Sequence, residues 1–377
     1  MFPQLPKITC ILLTTFAAML LSLQPSMALQ VTGLYSQQIP VANDGEAERS
    51  RAFREALSAV VVKVSGDLRW LESPAIERAI AQAQNYVEAT SYISESIQLP
   101  LEDNTLDADA NEPQFYAAEQ RIISVTFSAA LIDQLLADAN IPVWDSNRPS
   151  VLVWMVLQNS AGDRDFLTRE SNPEIVAAMQ DFAAARGLPI IFPVLDFEDR
   201  RNLSENIVWN LDEAAIANAS ERYGADSILA GRLHFTASGE LVGLWQFLFQ
   251  EQVDVFDGFD SDLQSYLYDP LNRITTKLAG YFAILPESVN GETIRLRIDG
   301  IKNLDAFTSL LSYVENLGIV ESVTTAEVDG ERIELQLSLL GDSRQLHEQI
   351  ALDRDLLPIS NAGGREPASI LHYRWTR

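Results

Sequence analysis

Apolar and polar positions alternate along this chain in two rhythms, and the rhythm changes several times. Phe53, Leu57, Val60, Val61 and Val64 fall on one face at helical spacing, opposite Glu48, Arg49, Arg51 and Glu55. That pattern predicts a helix over 46–64. Asn43-Asp44-Gly45 turns the chain into it and Ser65-Gly66-Asp67 stops it. Period-two alternation before it predicts a strand over 29–41. After it come a helix at 74–87 opened by Pro74, a strand at 92–99, a second strand at 121–127 and a helix at 130–139. The acidic stretch 102–112 reads as a solvated loop, and Pro142 and Pro149 bracket a linker. Together these form an N-terminal α+β domain over 29–148.

From residue 149 the pattern changes. Val151-Leu-Val-Trp-Met-Val-Leu157 is apolar at every position, the mark of a strand covered on both faces. Helices are expected at 174–185, capped by Gly187, and at 212–223, capped by Gly224. Further strands are expected at 188–195, 227–233, 241–249 and 251–256, with a closing helix at 271–284. Strands alternating with helices imply a three-layer α/β domain over 149–288.

Asn290-Gly291 then marks a tight turn into the last domain, 289–377. A strand at 293–298 leads to a helix at 304–317 ended by Gly318, and strands at 319–328 and 332–339 meet at Asp329-Gly330. A helix at 343–352 and a strand at 369–375 complete a βαββαβ order, that of a ferredoxin-like unit. The two-residue turn is expected to hold positive φ at both Asp329 and Gly330. The fold class is therefore α+β and multi-domain.

Particular segments carry a family likeness. The Leu34-Tyr35 strand, Arg49-Ser-Arg-Ala-Phe-Arg-Glu-Ala-Leu57 and Val62-Lys-Val-Ser-Gly66 resemble an uncharacterised proteobacterial envelope family, catalogued only as a domain of unknown function. The resemblance extends through Tyr223-Gly-Ala-Asp-Ser-Ile-Leu-Ala-Gly-Arg232, Leu339-Leu-Gly-Asp-Ser343 and Pro358. The 223–232 segment is also similar to the N-terminal α/β domain of the Tol-system β-propeller protein and of curli-secretion lipoproteins. Those are periplasmic assembly factors without enzymatic activity, so the resemblance implies a binding role.

The N-terminus adds an address. Lys7, an apolar run over 8–23 and Ser26-Met27-Ala28 make a secretory signal peptide, 1–28, cleaved after Ala28. The run is shorter than a spanning helix needs, so a periplasmic protein without stable membrane insertion is expected. Its net charge of −26 repels phosphate backbones and excludes nucleic acid as a partner class. Cys10, the one cysteine, lies within the leader, which leaves no thiol chemistry in the mature chain.

The remaining chemistry is sparse. His347-Glu348 opens like a zinc-protease helix, but Ala351 stands where the second imidazole must be. His234 and His372 lie in or near strands without cysteine partners. Asp107-Ala-Asp109-Ala-Asn111 starts like a calcium loop, yet Glu112 replaces its glycine and Ala118 its bidentate glutamate. Asp254, Asp257, Asp260 and Asp262 crowd around Gly258 without the loop spacing. Trp245, Phe247 and Phe249 alternate on one side of a strand, with Leu244 and Leu248 on the other, so this strand is either central in its sheet or set against a partner. Gly363-Gly364 reads as a flexible connection.

No catalytic, cofactor-binding or metal-binding residue is assigned, and no cofactor is expected. The expected function is a periplasmic non-enzymatic protein that binds or scaffolds an envelope protein or cell-wall component. A periplasmic hydrolase of polysaccharide or peptidoglycan, working by a carboxylate pair, is the alternative.

Overall fold

A computed structural model of the chain describes residues 31–100, 115–159, 161–236, 238–285, 292–353, 355–359 and 370–376. The leader, the Asp107–Asn111 segment, Asn290-Gly291 and Gly363-Gly364 lie outside the described residues. The molecule is a multi-domain α+β protein built on three separate sheets.

In the first domain, β1 (Ser36–Val41) leads into α1 (Glu46–Ser65) and, past a 3-10 turn, α2 (Pro74–Ala81). The second helix stops at Ala81, six residues short of the expected end at 87, and a 3-10 turn at Ala83–Tyr86 follows. A long hairpin follows, β2 (Val87–Pro100) and β3 (Phe115–Phe127), and then α3 (Ala129–Asp138). Strand order is β1-β3-β2, antiparallel throughout. Leu57, Val60, Val61 and Val64 are fully buried against Ile123, Val125, Phe127 and Leu136, so the helical stripe does what its spacing dictates.

The expected linker is a packed junction. Trp144, Asn147, Arg148 and Ser150 are all buried. The Arg148 guanidinium donates to the carbonyls of Lys63, Trp144, Asp145, Arg186 and Gly187, at 2.7–3.0 Å. One of these carbonyls, Lys63, lies in the last turn of α1, two (Arg186 and Gly187) end the first long helix of the second domain, and two belong to the junction itself. Helix C-termini carry unpaired carbonyls and partial negative charge, so one cation satisfies both ends at once. The ring of Trp144 lies 4.2 Å below the same guanidinium. Gly66, at φ 73°, caps α1; a Cβ there would collide with Trp144 of the junction and with Ala279 of the neighbouring domain.

The second domain runs β4 (Val151–Gln158), β5 (Arg164–Phe166), α4 (Pro173–Arg186), β6 (Ile190–Ile191), α5 (Phe197–Asn202), α6 (Glu205–Trp209) and α7 (Glu213–Ser220). It continues with β7 (Ser227–Phe235), β8 (Leu241–Phe249), β9 (Gln252–Asp260) and α8 (Leu263–Phe282). The sheet order is β5-β4-β7-β8-β9, with β6 pairing the start of β4. Val151, Val153, Leu229, Trp245 and Phe247 pack under α4 and α8, while Leu152, Trp154, Val156 and Ala230 pack under α6 and α7. This is the three-layer arrangement. Two elements differ from expectation. The strand expected at 188–195 shrinks to two residues, because Pro189 and Pro193 have no N–H for a ladder and Leu195 sits at φ 55°. The closing helix starts eight residues early, capped by Asp262, and runs through Pro270.

In the third domain, β10 (Thr293–Asp299), α9 (Leu304–Glu315), β11 (Val320–Asp329), β12 (Arg332–Leu339), α10 (Ser343–Asp353), β13 (Leu356–Pro358) and β14 (Ile370–Trp375) give the order β11-β12-β10-β14-β13. That is the ferredoxin-like order with β13 added at one edge. The hairpin turn is displaced by one residue from the expected position. Asp329 pairs with Arg332 at the strand ends, so Gly330 and Glu331 are the central residues. Gly330 has φ 61°, whereas Asp329 and Glu331 do not reach positive φ. Gly at the first central position alone is the II′ pattern.

Candidate binding groove

The hairpin between β8 and β9 turns at Gln250–Glu251, with Gln250 in the left-handed region, and leaves β9 as the outer strand of its sheet. In an antiparallel pair every second residue of such a strand turns its N–H and C=O outward. Among the described residues no element pairs with that side. The nine register pairs from Leu241↔Asp260 to Phe249↔Gln252 run without a break.

The two faces of this hairpin differ. Trp245, Phe247 and Phe249 all point under α8 and are buried, so the alternating aromatics belong to the core. On the opposite face Leu248 and Gln246 are buried, but their β9 partners Val253 and Val255 are 37% and 54% exposed. Phe259 is 71% exposed. The buried Gln246 Oε1 has no hydrogen-bond partner.

Between β9 and the N-terminal half of α8 lies a cavity of about 330 Å³. Phe256, Tyr266 and Phe259 supply its aromatic lining, and Asp257, Asp260, Asp269 and Arg273 its charges. The Tyr266 hydroxyl accepts a 2.9 Å hydrogen bond from the Trp245 indole N–H. Burial raises the pKa of that hydroxyl, and the bond from Trp245 opposes the rise. Gly243 makes the arrangement possible, because a Cβ there would occupy the hydroxyl's place. Arg273 lies over the Phe256 ring at 4.7 Å.

The four aspartates of the Asp254–Asp262 cluster take separate roles. Asp254 is paired with Lys277 at 2.5 Å. Asp262 caps α8 by accepting from the Ser265 N–H, which lowers its pKa. Asp260 accepts from the Asp262 N–H. Asp257 opens to solvent at the groove.

The histidines are dispersed. His347 Nδ1 meets the Tyr373 hydroxyl, His372 Nε2 meets Asp299 at 3.0 Å, and His234 lies 6.5 Å from the Trp209 ring. Among the described residues no three His, Cys, Asp or Glu side chains are grouped to hold a metal ion, and no helix is long and apolar enough to cross a membrane. Sequence reasoning missed the groove because half of it is helix 263–270, hidden behind Pro270. The capping signal at Asp262, three residues before Ser265, was the cue that could have extended the helix.

Among curated proteins, none matches the chain. A solved structure titled "Crystal structure of uncharacterized protein" is 11% identical, with the match covering 35% of this chain and 95% of the other at a TM-score of 0.14. A likeness that low carries no argument, and none of these comparisons bears out the Tol-system and curli resemblance. Residues 28–145, which take in the whole first domain as far as the junction, match the family described as "Domain of unknown function (DUF8605)".

Proposed function

We propose that this chain is an exported, periplasmic, non-enzymatic binding protein of the cell envelope, and that it takes up a polypeptide segment of its partner in the β9–α8 groove. One observation carries the reading: a regular, unpaired strand edge runs beside a helix, with a partly aromatic cavity between them. Strand edges flanked by a helix take up extended peptides through main-chain hydrogen bonds, and the adjoining pocket sorts side chains.

The other sheet edges are less suited. β11 carries two register shifts, and β5 and β13 span three residues each. β1 contains Pro40, whereas β2 is a long open edge exposed along 88–96. Native sheets blunt their edges by such devices, and of the two long edges left open, β2 and β9, it is β9 that borders a cavity.

The test is photo-crosslinking in living cells, with a photoreactive residue at Val255 or Phe259 and a control at the exposed Leu304 of the third domain. Adducts with an envelope protein are expected from the first two sites and not from the third. Equal labelling at all three sites, or none, would overturn the reading. So would cleavage of peptidoglycan by the purified protein that is lost on D269N, which would establish the hydrolase instead.

A further inference from the structure

We propose that the segment taken up is an extended, lysine- or arginine-bearing strand that adds to β9 as the next strand of the sheet. This deepens the binding reading above and rests on it.

The sequence of β9, Gln-Val-Asp-Val-Phe-Asp-Gly-Phe-Asp, contains three acids and no base. Of these, Asp254 is neutralised from within by Lys277. Asp257 and Asp260 stay at the groove, where Asp269 of α8 joins them. The groove's one lining base, Arg273, has its guanidinium 4.7 Å over the Phe256 ring. Three carboxylates against one guanidinium leave a net negative slot along an open strand edge, in a chain of net charge −26. Cross-strand pairs of opposite charge stabilise a ladder and like charges destabilise it. A strand that carries Lys or Arg on one side and apolar residues on the other meets both requirements of this edge. Its cations on the α8 side face Asp260 and Asp269, and its other side continues the surface of Val253, Val255 and Phe259, on which Asp257 also stands.

The same charges argue against a second copy as the occupant. Antiparallel pairing of two β9 strands centred on Asp257 sets that residue against its own counterpart and each Asp254 against an Asp260. Parallel pairing in register sets every aspartate against itself. Either way like charges lie opposite, so the edge that attracts a basic strand repels its own copy.

The experiment measures binding of labelled ten-residue peptides to the mature chain by fluorescence anisotropy. The peptides alternate valine with lysine, valine with glutamate, or glycine with lysine, and a fourth is the valine–lysine peptide N-methylated at alternate residues. The valine–lysine peptide is expected to bind at least tenfold more tightly than each of the other three. A D257K/D269K double substitution, with an unchanged melting temperature, is expected to erase its preference over the glutamate peptide. Equal binding of lysine and glutamate peptides would overturn the charge selection. Equal binding of the N-methylated or glycine–lysine peptide would overturn strand addition, because bulk charge then suffices. The cellular adducts separate the two claims: adducts at 255 and 259 that map to an acidic or helical partner segment, or to a second copy of this chain, sink this inference alone. Absence of adducts at those sites sinks the binding reading itself.

Discussion

Arg148 illustrates what a single side chain contributes when it is buried without a carboxylate. Its five hydrogen bonds all go to carbonyl oxygens, and burial pushes the guanidinium down to about 9. A lysine at this position offers three donors from one point and cannot span two helix ends. Arg148→Lys is expected to cost on the order of 3 kcal/mol, read as a lower urea midpoint, because carbonyls are left unpaired in the interior. A variant as stable as the parent would show that water replaces the missing donors. Gln246 is the opposite case, since its Oε1 is buried and unpaired. Gln246→Met keeps the volume and removes the unpaired acceptor, so it should gain about 1 kcal/mol. Nothing in the sequence distinguished Arg148 from the other arginines, because its partners are 38 to 85 residues away or lie in the main chain. The aspartate cluster was visible as a cluster, yet which member caps, pairs or stays open depends on Lys277 and Ser265 arriving from α8.

Among elements, those with a long period came through legibly and those set by chain breakers did not. The helix at α1 was readable because five apolar residues repeat at one angle, whereas β6 was over-read because an apolar run does not reveal missing N–H donors. The β11–β12 hairpin was read correctly as a hairpin but one residue out of place in its turn. Gly330 stands in open space with φ 61°, so a side chain there meets no neighbour and the penalty is purely conformational. Gly330→Val should therefore cost about 1–3 kcal/mol. At the start of α10, Asp342 Oδ1 accepts from the Gln345 N–H at 2.8 Å and the Gln345 side chain accepts from the Asp342 N–H at 3.2 Å, a reciprocal cap. Asp342→Ala is expected to cost about 0.5–2 kcal/mol. Thermal melts of both variants decide the matter, and a Gly330→Val protein as stable as the parent would contradict the turn geometry.

The whole molecule separates into a double unit and a single one. The first two domains share the Arg148 node, and Arg186 adds a bond from α4 to the Gly66 carbonyl at 2.8 Å. Gly66 also lets Trp144 and Ala279 close on the end of α1. The third domain instead has its own core of Leu296, Leu310, Leu335, Leu337, Leu346 and Tyr373, all buried within it. Its hydrogen-bond ties to the rest include Asp145 to the Gly318 N–H, Asn147 to Gln349 and Asp353, and Tyr281 to Glu348. Only the Asp145 bond lies at the surface and the Asn147–Gln349 bond is buried, but each nets only about 1 kcal/mol. Apolar packing across this boundary includes Leu352 in the second domain's core and Ile284 in the third's. A core of this kind within some 85 residues is enough for independent folding, on the order of a small natural domain. Calorimetry of the mature chain should therefore resolve two transitions, one for the joined first and second domains and one for the third. The fragment 290–377 should melt cooperatively by itself at the temperature of one of them. The fragment 29–148 should be the weak piece, since alone it keeps Trp144 and Arg148 but loses the Arg186 and Gly187 carbonyls that Arg148 binds and the α8 surface against Gly66. Arg148→Lys then supplies the internal control: it should lower the transition of the double unit and leave the other where it was. A single transition for the intact chain, or a shift of both by that substitution, would show that the polar ties couple all three domains into one cooperative body.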